Sequence, residues 1–532
     1  MACISRYVRE KSRRRCKVIR RFQLLRRATR RTRINTAPYA SALHIPTYCA
    51  RANNMKMDKC LTADNINQNL LNVRYAVRGP IVQRALQLER ELEKGASKPF
   101  DRVVRANIGD CQALGQKPIT FIRQVLALAA CPRLAGSAAV PADVEERVRE
   151  ILQDCARGSV GACSPSPGLR IVRARAAQYL TARDGVRASP DDIFIGSGAS
   201  DVIKAVLTMF VEDVDGKPPA VMIPIPQYPL FSGSLSELGV RQAHYYLDEY
   251  NEWALQACEL ERSWREASED CHVRALVVIN PGNPTGQVLT RKTIEEIIHF
   301  AYNHNIFLLA DEVYQENVVS KKFYSFKKVM HEMGAPYSSM ELCSFVSCSK
   351  GWVAEGGLRA GFAELARLQP AVARALHAAR GLAQCATVLG QCALDCMMKP
   401  PSPGEPSYEQ FIKEVGDIRQ VLSERTKAAY QTFNSIPGYS CNPIDGSMFA
   451  YPRIEIPERA QLAARELGMS PDEFYCHRLL EETGVCVVPG SGFGQLPGSF
   501  HFRTTILHLR DEFAYMMAAF RRFHLAFIEK YS

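Results

Sequence analysis

From about residue 190 to 365 the chain alternates short, unbroken apolar runs with longer stretches whose apolar positions recur at helical spacing. The runs cover 192–200 (DIFIGSGAS), 220–226 (AVMIPIP), 274–280 (RALVVIN), 306–312 (IFLLADE) and 342–350 (LCSFVSCSK). Each predicts a buried strand that ends in a polar or glycine-bearing loop. The stretches between them, such as 290–305 with Thr290 at its start, predict amphipathic helices, threonine being a favoured N-cap. Alternation of this kind predicts an α/β fold with a mostly parallel sheet covered on both faces. In open sheets of that class ligands collect at the carboxyl ends of the strands, where the unusual residues of this chain lie.

Flanking segments follow a different pattern. Residues 58–170 alternate helical stretches with Pro/Gly loops, and in 77–95 Pro80 falls in the first turn, where its fixed φ is tolerated. The stretch 399–411 (KPPSPGEPSYEQF) reads as a linker or surface crossing. A long helix over 408–435 leads to a second alternating region with segments at 446–454, 484–494 and 500–507, read as a smaller α+β domain. The expected layout is a basic extension at 1–57, an N-terminal arm with part of the small domain at 58–130, a large domain at 131–400 and the rest of the small domain at 401–532.

A chain of 532 residues exceeds what one core usually supports, and 47% hydrophobic with 23% charged residues leaves ample apolar surface to bury. The net charge of +12 is concentrated. Residues 1–57 hold thirteen arginines and three lysines against Glu10, a net +15 that leaves −3 for everything after them. That arginine-rich, acid-poor segment reads as a transit peptide for the mitochondrial matrix. Translation from Met55 or Met57, which would leave the protein cytoplasmic, and a nucleic-acid-binding arm are the alternatives. No apolar run is long enough for a transmembrane helix, so no membrane partner is expected. The 18 cysteines lack paired C-x-x-C spacing, so no metal site is expected. Cys385, Cys392 and Cys396 read as reduced core residues of a helical stretch in a reducing compartment.

The strand ends deliver one chemistry. Asn283 projects from a turn fixed by two prolines and two glycines (NPGNPTGQ, 280–287), Asp311 closes an apolar run with Tyr314 three residues on, and Lys350 and Arg359 follow the last run. A cofactor with a protonated ring nitrogen, a phenolic oxygen, an aldehyde and a phosphate would use all five. Pyridoxal 5'-phosphate has those groups. The carboxylate keeps the ring nitrogen protonated, the phenol and amide bond the ring oxygen, the lysine condenses with the aldehyde, and the arginine grips the phosphate.

The set NPTG (283–286), DEVY (311–314) and SCSK (347–350) with Arg359 resembles the fold-type I pyridoxal-phosphate aminotransferases. Further segments, 75–85, 107–121, 225–232, 357–362 and 501–505, are similar to the alanine aminotransferases, over nearly all of 62–530. The resemblance implies that Ala199, Ser200, Ser347 and Arg359 form the phosphate cup and that Tyr228 stacks on the cofactor ring. It implies that Arg503 binds the substrate α-carboxylate, with Asn283 and Gly109 beside it. It further implies a homodimer acting on amino acids and 2-oxo acids, without nucleic acid, and ping-pong transfer of the amino group of L-alanine to 2-oxoglutarate. One position departs from the pattern: Cys163 stands where the family commonly has a tyrosine that reaches the neighbouring subunit's cofactor phosphate, so a weaker grip, or help from Ser164, is expected. Arg503 alone does not choose between alanine, aspartate, glutamate or glyoxylate partners. A lyase on the same fold would share the cofactor residues, and a ligand-sensing regulator would need a DNA-binding module that residues 1–57 are too short to form convincingly.

Overall fold

The five apolar runs fold as the strands expected of them, and two more strands join their sheet. The computed structural model describes residues 59–137 and 140–532; the expected transit segment lies outside them. After β1 (Val104–Arg105) come β2 (Ile193–Gly196), β3 (Pro219–Ile225), β4 (Arg241–Tyr246) and β5 (His272–Ile279). They are followed by β6 (Phe307–Asp311), β7 (Leu342–Ser347) and β8 (Gly361–Ala366). The large sheet has the order β2-β8-β7-β6-β5-β3-β4. Strands β4, β3, β5, β6 and β7 run parallel, while β8 is antiparallel to both β2 and β7.

The two unpredicted strands lack a continuous apolar run, for different reasons. β4 is an edge strand whose residues alternate between exposed and buried, so its pattern is one-sided. β8 carries Glu364 at its centre, an acid that is buried because Lys327 pairs with it. Both faces of the sheet are covered, and β5 shows how. Leu276 and Val278 pack into a cluster with Ile294, Ile297 and Ile298 of the helix Arg291–Asn303. Ala275, Val277 and Ile279 pack into another with Val202, Ile203 and Val206 of the helix Ala199–Leu207. Thr290 caps the first of these helices, its hydroxyl accepting from the Thr293 amide at 3.2 Å.

The C-terminal region adds β9 (Tyr439–Ser440), β10 (Phe449–Ala450), β11 (Arg453–Ile454), β12 (Val485–Cys486), β13 (Val488–Pro489) and β14 (Phe502–Thr505). Its antiparallel three-stranded sheet has the order β10-β14-β13. β1 pairs with β12, and Ile81, Val82 and Leu88 of the helix Pro80–Glu93 share a core with Phe433, Tyr475 and Phe520. The long helix spans Tyr408–Asn434. One cysteine differs from expectation. Cys392 and Cys396 are buried in the helix Val388–Met398, but Cys385 precedes that helix and is half-exposed, because the apolar run begins only at Ala386.

Candidate active site

Each strand of the large sheet that leads to a singled-out residue opens onto one rim. β3 ends before Tyr228, β5 before Asn283, β6 at Asp311 and β7 at Ser347, three residues short of Lys350. The antiparallel β8 starts at that same rim, where Gly361 is paired with Gly196 on one side and Ser347 on the other. This register brings Arg359 to the turn that opens the helix Ala199–Leu207. A side chain at Gly361 would meet the Ala199 amide nitrogen and the Val346 carbonyl oxygen at 2.7 Å, so glycine is what permits the approach.

Lys350 turns inward, as expected. Its ammonium nitrogen donates to the Gly109 carbonyl at 3.1 Å and stands 5.5 Å from the centre of the Tyr314 ring. Burial holds its pKa below the usual lysine value, so the free amine is easier to reach than on a surface lysine. Asp311 is 3% exposed, accepts from the Val313 amide at 3.3 Å, and is pushed by burial to a pKa of about 7, with Lys350 opposing only in part. A buried carboxylate in that condition is best satisfied by a cationic N–H.

Arg503, on the central strand β14, is 2% exposed. One of its terminal nitrogens donates to Asn283 Oδ1 at 3.0 Å and the other to the Asn107 carbonyl at 2.8 Å, while its Nε has no hydrogen-bond partner. Asn283 in turn reaches the Tyr314 hydroxyl through Nδ2 at 3.3 Å. Burial pushes the guanidinium down to about 10, so it remains a cation at neutral pH. Gly109, whose carbonyl Lys350 uses, packs against Phe449, the ring that the Arg503 guanidinium also meets. A Cβ there would sit 2.7 Å from Phe449 Cζ and 2.9 Å from Met448 Sδ. Gly109→Ala is therefore expected to displace the carbonyl that Lys350 uses and to cut turnover at least about tenfold, read by steady-state assay.

Arg359 gathers at the other end of the rim. Its guanidinium donates to Gly356 O at 2.9 Å and Ser197 O at 3.3 Å, and it lies against Gly198, the N-cap of the helix that begins with Ala199 and Ser200. Arg359 is exposed, unlike Arg503. Free amides, helix dipole and guanidinium together suit a phosphate. Ser347 Oγ accepts from the Ser349 amide at 3.1 Å. The Tyr228 hydroxyl lies 2.8 Å from that of Tyr75. Cys163 is exposed, and Ser164 Oγ is engaged by Gln391 and Pro165, at 3.0 Å each.

The sequence reading missed Tyr75 as a partner of Tyr228, the Asn107 carbonyl, and Phe449 and Phe493, whose rings lie 4.0 and 4.7 Å from the Arg503 guanidinium carbon. Only the conjunction of aromatic residues with glycine in 446–454 and 489–495 could have drawn notice to the last two. Among the described residues no cluster of His, Cys, Asp and Glu could hold a metal ion, and no helix is long and apolar enough to cross a membrane.

Comparison with known proteins identifies the family and the fold. The aminotransferase class I and II family matches residues 133–520. Alanine aminotransferase 1 of Homo sapiens is 49% identical over 478 residues, 89% of this chain and 96% of that protein. A Dictyostelium discoideum protein named "Probable alanine aminotransferase, mitochondrial" is 41% identical over 490 residues, covering 90% of this chain and 91% of its own. The fold matches a Pyrococcus furiosus alanine aminotransferase with a TM-score of 0.68 at 22% identity, over 86% of this chain and 99% of that one. The chain thus belongs to the class I and II aminotransferases and, among them, groups with the alanine aminotransferases.

Proposed function

We propose that this protein is a pyridoxal-phosphate-dependent transaminase that moves the amino group of L-alanine to 2-oxoglutarate, giving pyruvate and L-glutamate. The observation that carries the reading is the hydrogen-bonded line from Arg503 through Asn283 to Tyr314, with the Lys350 amine over the same Tyr314 ring. Such a line would suit an anchor for a carboxylate beside a base for the adjacent α-carbon.

Pyridoxal phosphate, when bound, would supply an aldehyde to carry the amino group and a protonated ring to accept the electron pair left at the substrate α-carbon. Asp311 would hold the proton on its ring nitrogen, Tyr314 and Asn283 would bond its ring oxygen, and Tyr228 would cover its face. Ala199, Ser200, Ser347 and Arg359 would hold its phosphate. Lys350 would attach the aldehyde and, once displaced by the substrate amine, would move the proton from the substrate α-carbon to the former aldehyde carbon, then carry one in the opposite direction during the second half of the cycle. Arg503 would fix the α-carboxylate, and the Gly109 carbonyl would hold the lysine amine while substrate occupies the aldehyde.

Purified protein given pyridoxal phosphate, L-alanine and 2-oxoglutarate is expected to form pyruvate and glutamate in equal amounts, with parallel double-reciprocal plots. Turnover of other donors without pyruvate would reject alanine as substrate, and product formed without any 2-oxo acid would point to a lyase. Gly198 has φ +91°, and a Cβ there would collide with the Arg359 guanidinium. Gly198→Ala is therefore expected to loosen pyridoxal phosphate at least about tenfold in an absorbance titration, an anion contact being worth one to a few kcal/mol.

The 58–130 arm, the 131–400 large domain and the 401–532 small domain are the working divisions. A homodimer is supported by Leu70, Leu71 and Val73, exposed apolar residues of the arm. Import into the mitochondrial matrix is supported by the basic leader and by the name of the Dictyostelium relative.

A further inference from the structure

A guanidinium buried as deeply as Arg503 is costly unless something offsets its lost hydration. A carboxylate from the chain would do so, but it would occupy the N–H groups that a substrate needs. Arg503 enters no ion pair among the described residues; it has five N–H donors, of which the Asn283 and Asn107 bonds use two. What surrounds it instead is aromatic. The Phe449 ring centre lies 4.0 Å and the Phe493 ring centre 4.7 Å from its central carbon. Phe449 comes from β10 and Phe493 from the turn after β13, the two strands that flank β14. Both rings are buried and held in turn, Phe449 against Tyr314 at 6.3 Å and Phe493 against Tyr451 at 5.9 Å.

We infer that Phe449 and Phe493 are positioning residues that stabilise the Arg503 cation through their π faces while leaving its N–H edge open, so that the site accepts a planar carboxylate and rejects a tetrahedral anion. The inference rests on the reading of Arg503 as the carboxylate anchor. Ring faces attract a cation without accepting its directed hydrogen bonds, so they offset burial without competing with substrate. They also wall off the directions they cover. A carboxylate lies flat in the fork, whereas the third oxygen of a phosphonate would face a ring and lose its hydration.

The test uses the enzyme loaded with pyridoxal phosphate. Phe449→Leu and Phe493→Leu are each expected to raise the KM for alanine and for 2-oxoglutarate about tenfold, with kcat held within about threefold and the coenzyme absorbance spectrum unchanged. Calorimetric titration of the unsubstituted enzyme with the unreactive pair propionate and ethylphosphonate should show propionate binding at least about tenfold tighter, despite its smaller charge. Unaltered KM values in both leucine variants, or phosphonate binding as tightly as carboxylate, would overturn the inference. Should the leucine variants fail to fold, the titration decides alone. Arg503→Lys separates the two levels: if it leaves KM untouched, the anchor reading itself falls, whereas a large rise in KM beside silent phenylalanine variants removes only the role of the rings.

Discussion

Replacing Lys350 with alanine is expected to lower pyruvate formation by roughly four orders of magnitude or more, the upper range for loss of a positioned acid/base, since attachment of the aldehyde is lost as well. The alternative explanation of so large a loss, collapse of the fold, is testable from the contacts. Lys350 is half-buried and makes a hydrogen bond to the Gly109 carbonyl, while burial already lowers its pKa. Its folded-state pKa is depressed, so the charged amine is less stable in the protein than in the unfolded chain. Removing it should leave the melting temperature of the coenzyme-free protein unchanged or slightly raised at neutral pH. Borohydride should fix the coenzyme covalently to the parent protein and not to the variant. Activity within tenfold of the parent, or covalent fixation in the variant, would remove Lys350 from the mechanism.

Much of this site could be read from the chain because its residues stand at the ends of strands. An apolar run such as 306–312 announces both a buried strand and the place where it stops, and the polar residue at the stop, Asp311, is then the one facing the rim. Lys350 and Asn283 were legible for the same reason. The antiparallel β8 was not, since Glu364 interrupts its apolar pattern and is tolerated only because Lys327, distant in sequence, pairs with it. Yet it is β8 that brings Arg359 to Gly198, so the chemistry at that end was read through the motif and its geometric cause only in the structure. Arg503 shows a different limit. Its motif was visible, but its burial depends on Phe449 and Phe493, each packed from a different strand, and no local periodicity encodes a contact of that kind. The Tyr75–Tyr228 pair spans 153 positions and is likewise tertiary.

Asp311→Asn is expected to push stability and activity in opposite directions. In the coenzyme-free protein the Asp311 carboxyl has a pKa of about 7 against roughly 3.9 when unfolded, because burial disfavours its charge. Between pH 4 and 7 the folded chain therefore holds a proton that the unfolded chain has released, and stability falls as pH rises through that window. The loss is complete above pH 7 and is on the order of 4 kcal/mol. Asparagine keeps an acceptor for the Val313 amide but carries no charge, so the variant should melt higher than the parent at pH 8 and equally at pH 4. Glu312, raised to about 7 by its own burial, contributes a slope of the same sign to both proteins and cancels in the difference. Pyridoxal phosphate should then stabilise the parent more than the variant at pH 8, since only the carboxylate can pair with a protonated ring nitrogen. Turnover should fall by about two to three orders of magnitude, the usual cost of removing one preorganised charge contact. A variant that melts lower than the parent at pH 8 would mean that Asp311 is a structural acid already satisfied within the chain. The combination expected here, gain in stability with loss of rate, is the mark of a group kept in an unfavourable setting for the sake of the ligand it meets.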